Sequence, residues 1–318
     1  MSDNNYSHRF RKFQIKNWDE KSSVRGSPNR YALPQDIDIQ LETKYWFLPR
    51  ALPWLSEPAI QNLSSDIIHV LLARYLVFFL EYTTALEHKI VNPAVEIIAH
   101  DELGLGIPVD LKLAAFQLYT DEGYHAFVAA AVATEVSEYY GLKKYDKPIQ
   151  RIQRLQNLID SDPAHAKLAT LVAGFVSETS ITKELLDFTS EELVGPSYHM
   201  LRDHLTDELQ HSNYFSHVFH CVWLELDDSS KIFASTLMVQ MIREFFRLDD
   251  AWLTQTLAEI GVSNQDAIRI QRKLQEKDVC IARARSGATG TVKALKKIGF
   301  FNYGNNLMCF IDAGLVYE

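Results

Sequence analysis

The stretches Thr120-Asp121-Glu122-Gly123-Tyr124-His125 and Thr206-Asp207-Glu208-Leu209-Gln210-His211 carry the same words, TDExxH. Residues i and i+3 of an α-helix lie on one face, one above the other, so Glu122 with His125, and Glu208 with His211, can each grip one cation together. A bare ExxH is weak evidence, since a Glu and a His on a helix usually mark a solvated face. Here the surroundings are apolar. Ala114, Ala115, Leu118, Phe127, Val128 and Ala129 flank the first motif, and Tyr214, Phe215, Val218 and Phe219 follow the second. Burying several carboxylates among such residues without a cation is very costly or forces protonation. A buried hydrogen-bond network without metal is the plain alternative.

The segments that carry these motifs read as long helices. Ser64, Ser65 and Asp66 are N-cap types that open an apolar-periodic stretch to about residue 102, which Pro93 should kink. Gly104, Gly106 and Pro108 make a turn, and a second helix runs from about 110 to 140 with Gly141 as its stop. A basic connector from Leu142 to Asp160 has room for a short helix. Asp162-Pro163 has the form of an N-cap and first turn, opening a third helix to about 190. Gly195-Pro196 separates it from a fourth, about 196–226. Further helices are expected at roughly 230–247, 249–260 and 263–282, and no stretch alternates as a strand does. Residues 1–60 hold five of the ten prolines and read as an irregular N-terminal arm laid over the core, anchored by Tyr45, Trp46, Phe47 and Trp54. Residues 61–318 read as a single helical domain.

Four helices with paired Glu and His on two of them call for one lone Glu on each of the others, the dimetal arrangement of ferritin-like bundles. Depth selects the candidates. Glu122 lies 12 residues past the start of its helix, about 18 Å at 1.5 Å per residue. Glu87 lies about 22 Å before the end of an antiparallel first helix, whereas Glu81 lies about 31 Å back and is too deep. Glu178 stands 12 residues before residue 190, matching Glu208 at 12 past 196, while Glu184 is only 6 from the end. His204 adds a third imidazole on the Glu208–His211 stripe, giving HxxxExxH, with a core histidine as its plain reading. Asp121 and Asp207, each just before a candidate ligand Glu, can accept from the outer nitrogens of the imidazoles. Oxygen and nitrogen donors without thiolate suit iron or manganese.

Composition narrows the class. The chain has 318 residues, 47% hydrophobic and 23% charged, with 13 Gly and 10 Pro, which fits a globular protein with few turns. The net charge of -9 disfavours a nucleic-acid partner. Cys221, Cys280 and Cys309 are far apart, so neither a disulfide framework nor a thiolate site is expected. The first residues lack a secretory signal, and the apolar run Ile67 to Leu80 contains His69 and Arg74, too short and polar to span a bilayer. A soluble cytoplasmic protein is the expectation. Gly104-Leu105-Gly106 lacks the third glycine and the preceding strand of a dinucleotide fingerprint, so no flavin or nicotinamide site is expected.

The spacing of these residues resembles the AurF-type p-aminobenzoate N-oxygenases, non-haem diiron enzymes whose pattern is a lone Glu, an ExxH, a second lone Glu and an HxxxExxH. In this chain the pattern falls on Glu87, on Glu122 and His125, on Glu178, and on His204, Glu208 and His211. The resemblance spans about residues 65–226, and its extra histidine separates it from ferritins, ribonucleotide reductase small subunits and acyl desaturases. It implies an all-α, ferritin-like four-helix bundle core with additional C-terminal helices. It also implies two carboxylate-bridged iron ions that use O2 to oxidise an amine nitrogen to hydroxylamine, nitroso or nitro level. Electrons would come from an external donor, and the amine could be free or tethered to a carrier. A homodimer is compatible with such bundles. The competing expectations are a diiron hydroxylase or desaturase acting on carbon, a ferritin-like iron-binding protein, for which the chain is long, and a metal-free helical scaffold.

Overall fold

The protein is described by a computed structural model at residue 15, residues 17–26 and residues 31–317. Among these residues the ordered elements are helices, apart from one isolated parallel bridge between Tyr45 and Leu193. The described residues open with short α-helical turns, α1 (Trp18–Lys21), α2 (Ser23–Gly26), α3 (Ile37–Leu41) and α4 (Pro58–Gln61), with 3-10 turns at Pro49–Ala51 and Pro53–Ser56. Trp46 and Phe47 in the segment between α3 and α4 are fully buried, and Trp54 nearly so.

Helix α5 (Ser65–Leu86) starts where the Ser64 hydroxyl accepts the Ile67 amide. It does not run on as a plain α-helix bent at Pro93. A π-turn over Glu87–Val91 intervenes, and Pro93 falls in the first turn of the helix that follows, α6 (Asn92–Ala99). A proline has no amide to donate and its ring crowds the preceding turn, so the hydrogen-bond ladder must loosen just before it. Here it does so as a π-turn, a form that recurs at functional positions. Helix α7 (Val109–Tyr140) follows, and Gly141 ends it at φ 59°, in the left-handed region where an L side chain is disfavoured. The basic connector contains α8 (Gln150–Ile159).

Helix α9 (Ala166–Phe188) begins three residues later than Asp162-Pro163 suggests. Asp162 spends its carboxylate on the Ala164 amide and the His165 ring, which closes a separate turn before the helix. Almost every residue from Leu168 to Ile181 is buried, because α9 packs against α6, α8, α10 (Gly195–Glu225) and α11 (Asp228–Phe245). Gly174 permits this closeness: a Cβ there would come within 2.5 Å of Ala94 Cβ and 3.0 Å of Phe215 Cε1. Helix α12 (Asp250–Glu259) comes next. The single helix expected over 263–282 is two, α13 (Asn264–Leu274) and α14 (Lys277–Gly287). Two more, α15 (Thr289–Lys297) and α16 (Asn306–Asp312), were not legible as separate periodic runs. In α15, Thr291 Oγ1 bonds Thr179 and Ser180 of α9 at 2.8 and 3.0 Å, tying the C-terminal helices to the core helix beside Glu178.

The tract Ser65–Ala99 is long and apolar enough to cross a membrane by length and composition, contrary to the expectation from its charged residues. Its apolar side chains are used internally: Leu71, Leu72, Leu76, Ile90, Val91 and Ala94 are fully buried against neighbouring helices.

Candidate metal centre

Four elements present the seven candidate ligands to one another. The π-turn carries Glu87, α7 carries Glu122 and His125, α9 carries Glu178, and α10 carries His204, Glu208 and His211. None is more than 8% exposed. In α7 and α10 the i, i+3 spacing does what helix geometry requires, and Glu87 stands at the first position of the π-turn that follows α5.

The donor atoms form three overlapping groups: Glu87, His125, His204 and Glu208; Glu122, His125, Glu208 and His211; and Glu87, Glu122 and Glu178. Within each group the atoms all lie within 4.8 Å of one another. His211 Nδ1 is 2.8 Å from Glu122 Oε1, 3.4 Å from Glu208 Oε1 and 3.7 Å from Glu178 Oε2. His125 Nδ1 is 3.3 Å from Glu122 Oε2 and 3.5 Å from Glu208 Oε1. His204 Nε2 is 3.0 Å from Glu208 Oε1 and 3.7 Å from Glu87 Oε1. Two donors bound at right angles to one ion at about 2.1 Å stand about 3 Å apart, which is the spacing seen here.

Hydrogen bonding accounts for only part of this packing, pairing His125 Nδ1 with Glu122 Oε2 and His204 Nε2 with Glu208 Oε1. Glu87 Oε2, Glu122 Oε1, Glu178 Oε2, Glu208 Oε2 and His211 Nδ1 are buried and make no hydrogen bond. The short His211–Glu122 approach is itself not aligned as one. Orphaned buried acceptors converging on a point are expected where a cation is to be held. An oxygen and nitrogen donor set with no thiolate fits iron or manganese.

The electrostatics agree. Burial and the surrounding carboxylates push Glu87 and Glu178 well above the usual carboxylate range. Burial also works to raise Glu122 and Glu208, but His211 and the other imidazoles overcome it and hold both below that range. Burial works against a charge on His125 and His211 too, yet their carboxylate partners raise both, His125 to about 10. Burial, helped by the His125 charge, lowers His204.

The outer imidazole nitrogens take crossed partners. His125 Nε2 on α7 meets Asp207 Oδ2 on α10 at 3.1 Å, and His211 Nε2 on α10 meets Asp121 Oδ2 on α7 at 3.1 Å. Three further residues, which sequence reasoning missed, complete this layer. The Trp18 indole Nε1 donates to both Asp121 oxygens at 2.9 Å, the Ser22 hydroxyl donates to Asp121 Oδ1 at 2.5 Å, and the Ser23 amide donates to Asp207 at 3.1 Å. The only signal for them was a Trp and a Ser four residues apart, about one helical turn, in a segment otherwise without periodicity.

On the His204 side a cavity of about 20 Å³ is lined by Phe79, Thr83, Val128, Met200, Leu201 and His204, among others. That is room for about one water-sized sphere. Arg151 of α8 lies 4.5 Å from the centroid of the Tyr82 ring, five residues before Glu87. Arg283 donates to the carbonyls of Phe246 and Leu274, and Arg285 to that of Gly314.

A sequence-family profile described as P-aminobenzoate N-oxygenase AurF matches residues 16–299. No curated protein matches the chain.

Proposed function

The chain belongs to the AurF family of p-aminobenzoate N-oxygenases, and we propose that it is a non-haem diiron oxygenase that uses O2 to oxidise an amine nitrogen. The observation that supports this is the convergence of four carboxylates and three imidazoles, with one buried oxygen of each carboxylate and the His211 Nδ1 left without a hydrogen-bond partner. Glu87, Glu122, His125, Glu178, His204, Glu208 and His211 would hold the two iron ions. Bound iron supplies the O2 chemistry. The chain's own residues fix the donor geometry, direct the outer N–H groups of His125 and His211 at Asp207 and Asp121, and keep bulk water away with the apolar wall of Phe79, Val128, Met200 and Leu201.

The substrate in this reading is a small or carrier-tethered amine, and an external donor supplies the electrons. The product lies at hydroxylamine, nitroso or nitro level, as part of a secondary-metabolite route. The protein is reconstituted with ferrous iron under argon, its iron content measured, and then exposed to O2 with a panel of amines. About two irons per chain and products heavier by oxygen on nitrogen are expected. Iron at two per chain with oxygen found on carbon would replace this reading by a hydroxylase, and failure to bind iron would end it.

A further inference from the structure

We propose that Ile15 and residues 17–26 form a positioning strap for the metal centre. In it Trp18, Ser22 and Ser23 hold the Asp121 and Asp207 carboxylates in the orientation from which those carboxylates fix the His211 and His125 rings. The inference rests on the ligand reading given above and adds to it a segment far from the ligands in sequence.

The geometry is specific. Ser22 has φ -58° and ψ 137°, an extended residue that separates α1 from α2. That break turns two consecutive residues to two different helices, the Ser22 hydroxyl to Asp121 on α7 and the Ser23 amide to Asp207 on α10. A continuous helix would put neighbouring residues about 100° apart and leave the Ser23 amide committed to its own ladder. Trp18, one turn before Ser22, reaches the same carboxylate with its indole N–H. Asp121 Oδ2 therefore accepts from Trp18 and from His211, and Asp121 Oδ1 accepts from Trp18 and Ser22. With donors on both oxygens the carboxylate cannot rotate without breaking a hydrogen bond.

The consequence reaches the imidazoles. A carboxylate at Nε2 keeps the proton on that nitrogen and leaves the Nδ1 lone pair for a metal. The Nδ1 atoms of His125 and His211 are those that face the glutamates. The strap is itself anchored, by the Ile15 amide to the Gln117 side chain at 3.0 Å and by burial of Ile15 in the core. Between strap and bundle lies a cavity of about 250 Å³ lined by Trp18, Lys21, Ser22, Asp121, Asp207 and His211, among others. The strap forms one wall of that space, and Asp121 and Asp207 are 1% and 5% exposed beneath it.

The test uses the full-length protein loaded with Co2+, whose visible spectrum reports the ligand field and whose release to a chelator is readily timed. Trp18→Phe and Ser22→Ala each remove donors to Asp121 while keeping most of the packing, and His211→Ala is the control. Release about tenfold faster than the parent is expected for either strap variant, of the order found for loss of outer partners of metal-bound imidazoles. It should come with a shifted cobalt spectrum and an unchanged helical circular dichroism. Ser22→Thr, which keeps the hydroxyl, should restore both. Parent-like release and spectrum in Trp18→Phe and Ser22→Ala, alongside loss of cobalt in His211→Ala, would overturn the strap and leave the ligand assignment standing. Parent-like cobalt binding in all three would overturn the assignment, and the strap with it. If Trp18→Phe does not fold, Ser22→Ala decides.

Discussion

His125 Nε2 stands 3.1 Å from Asp207 Oδ2, so the imidazole of one helix is oriented by a carboxylate of another. The reciprocal pair, His211 with Asp121, runs in the opposite direction between the same two helices. Each hydrogen bond therefore joins α7 to α10 and sets a candidate ligand at once. Asp207→Ala should weaken metal binding about 10- to 100-fold, and Asp207→Asn, which keeps an acceptor without the charge, by less. Competition against a chelator of known affinity measures both. Equal affinity in the parent and in Asp207→Ala would reduce the crossed pairs to packing.

Much of the site was legible because helix periodicity converts spacing directly into a shared face. Glu122 with His125 and Glu208 with His211 needed no more than that. Glu87 and Glu178 came from matching depths along antiparallel helices, an argument that tolerates an error of a residue or two at helix ends. The π-turn at Glu87 was not legible: Pro93 signalled a disturbance, but a kink and a π-turn satisfy the missing amide equally well on paper. Trp18, Ser22 and Ser23 escaped because their partners are about 100 to 180 positions away and no local pattern encodes such a contact. The split between α13 and α14 escaped for a milder reason. Gln275 and Glu276 are ordinary helix residues, so no breaker marks the point where α13 ends and α14 begins.

Gly174 is a packing requirement rather than a flexible point. Alanine would gain about 1 kcal/mol of helix propensity over glycine. Its Cβ would fall 2.5 Å from Ala94 Cβ, which sits on the helix that follows the Glu87 turn. Overpacking of this kind costs about 1–3 kcal/mol or more. Gly174→Ala is therefore expected to lower Tm, and Gly174→Val to lower it further. Because Gly174 is one turn before Glu178, metal content should fall as well. A Tm at or above the parent in Gly174→Ala would show that α6 and α9 can separate at no cost.

Glu87 carries a cost in the metal-free protein. Burial first, and then Glu122, Glu208 and Glu178, drive its carboxyl well above the ordinary range, so folding without a cation forces a proton onto it. Glu87→Gln removes that requirement while keeping shape and one acceptor. The metal-free variant should melt at a higher temperature than the metal-free parent at neutral pH. The variant should also hold less iron, and iron should raise its Tm less than it raises that of the parent. Paired thermal scans with and without ferrous iron test the opposite signs; a variant less stable in both states would mean that Glu87 serves structure alone.

Loading the site should expel protons. In the metal-free chain Glu87 and Glu178 are raised by burial and by like charge, while carboxylate partners overcome burial to raise His125, to about 10, and His211. Each of these shifts favours the protonated form, which cations must displace, so apparent metal affinity rises with pH across the neutral range and falls on acidification. The stability of the metal-free form has the opposite sense. A group whose folded pKa is raised stabilises the fold fully below its unfolded pKa, about 6.5 for histidine, and loses that contribution as pH climbs through the folded value. For His125 that window runs from about 6.5 to about 10. Glu122 and Glu208, held below the ordinary carboxylate range, act only at the acidic end and do not offset the loss there. The metal-free Tm should therefore decline from neutral pH toward pH 10, and the metal-loaded Tm should decline less. Titration calorimetry at pH 7 in two buffers of different ionisation heat should return more than one proton released per chain. A net release of zero would mean that the glutamates and imidazoles already sit in their metal-binding protonation states, and that the crowding at Glu87 and Glu178 is relieved by some other route.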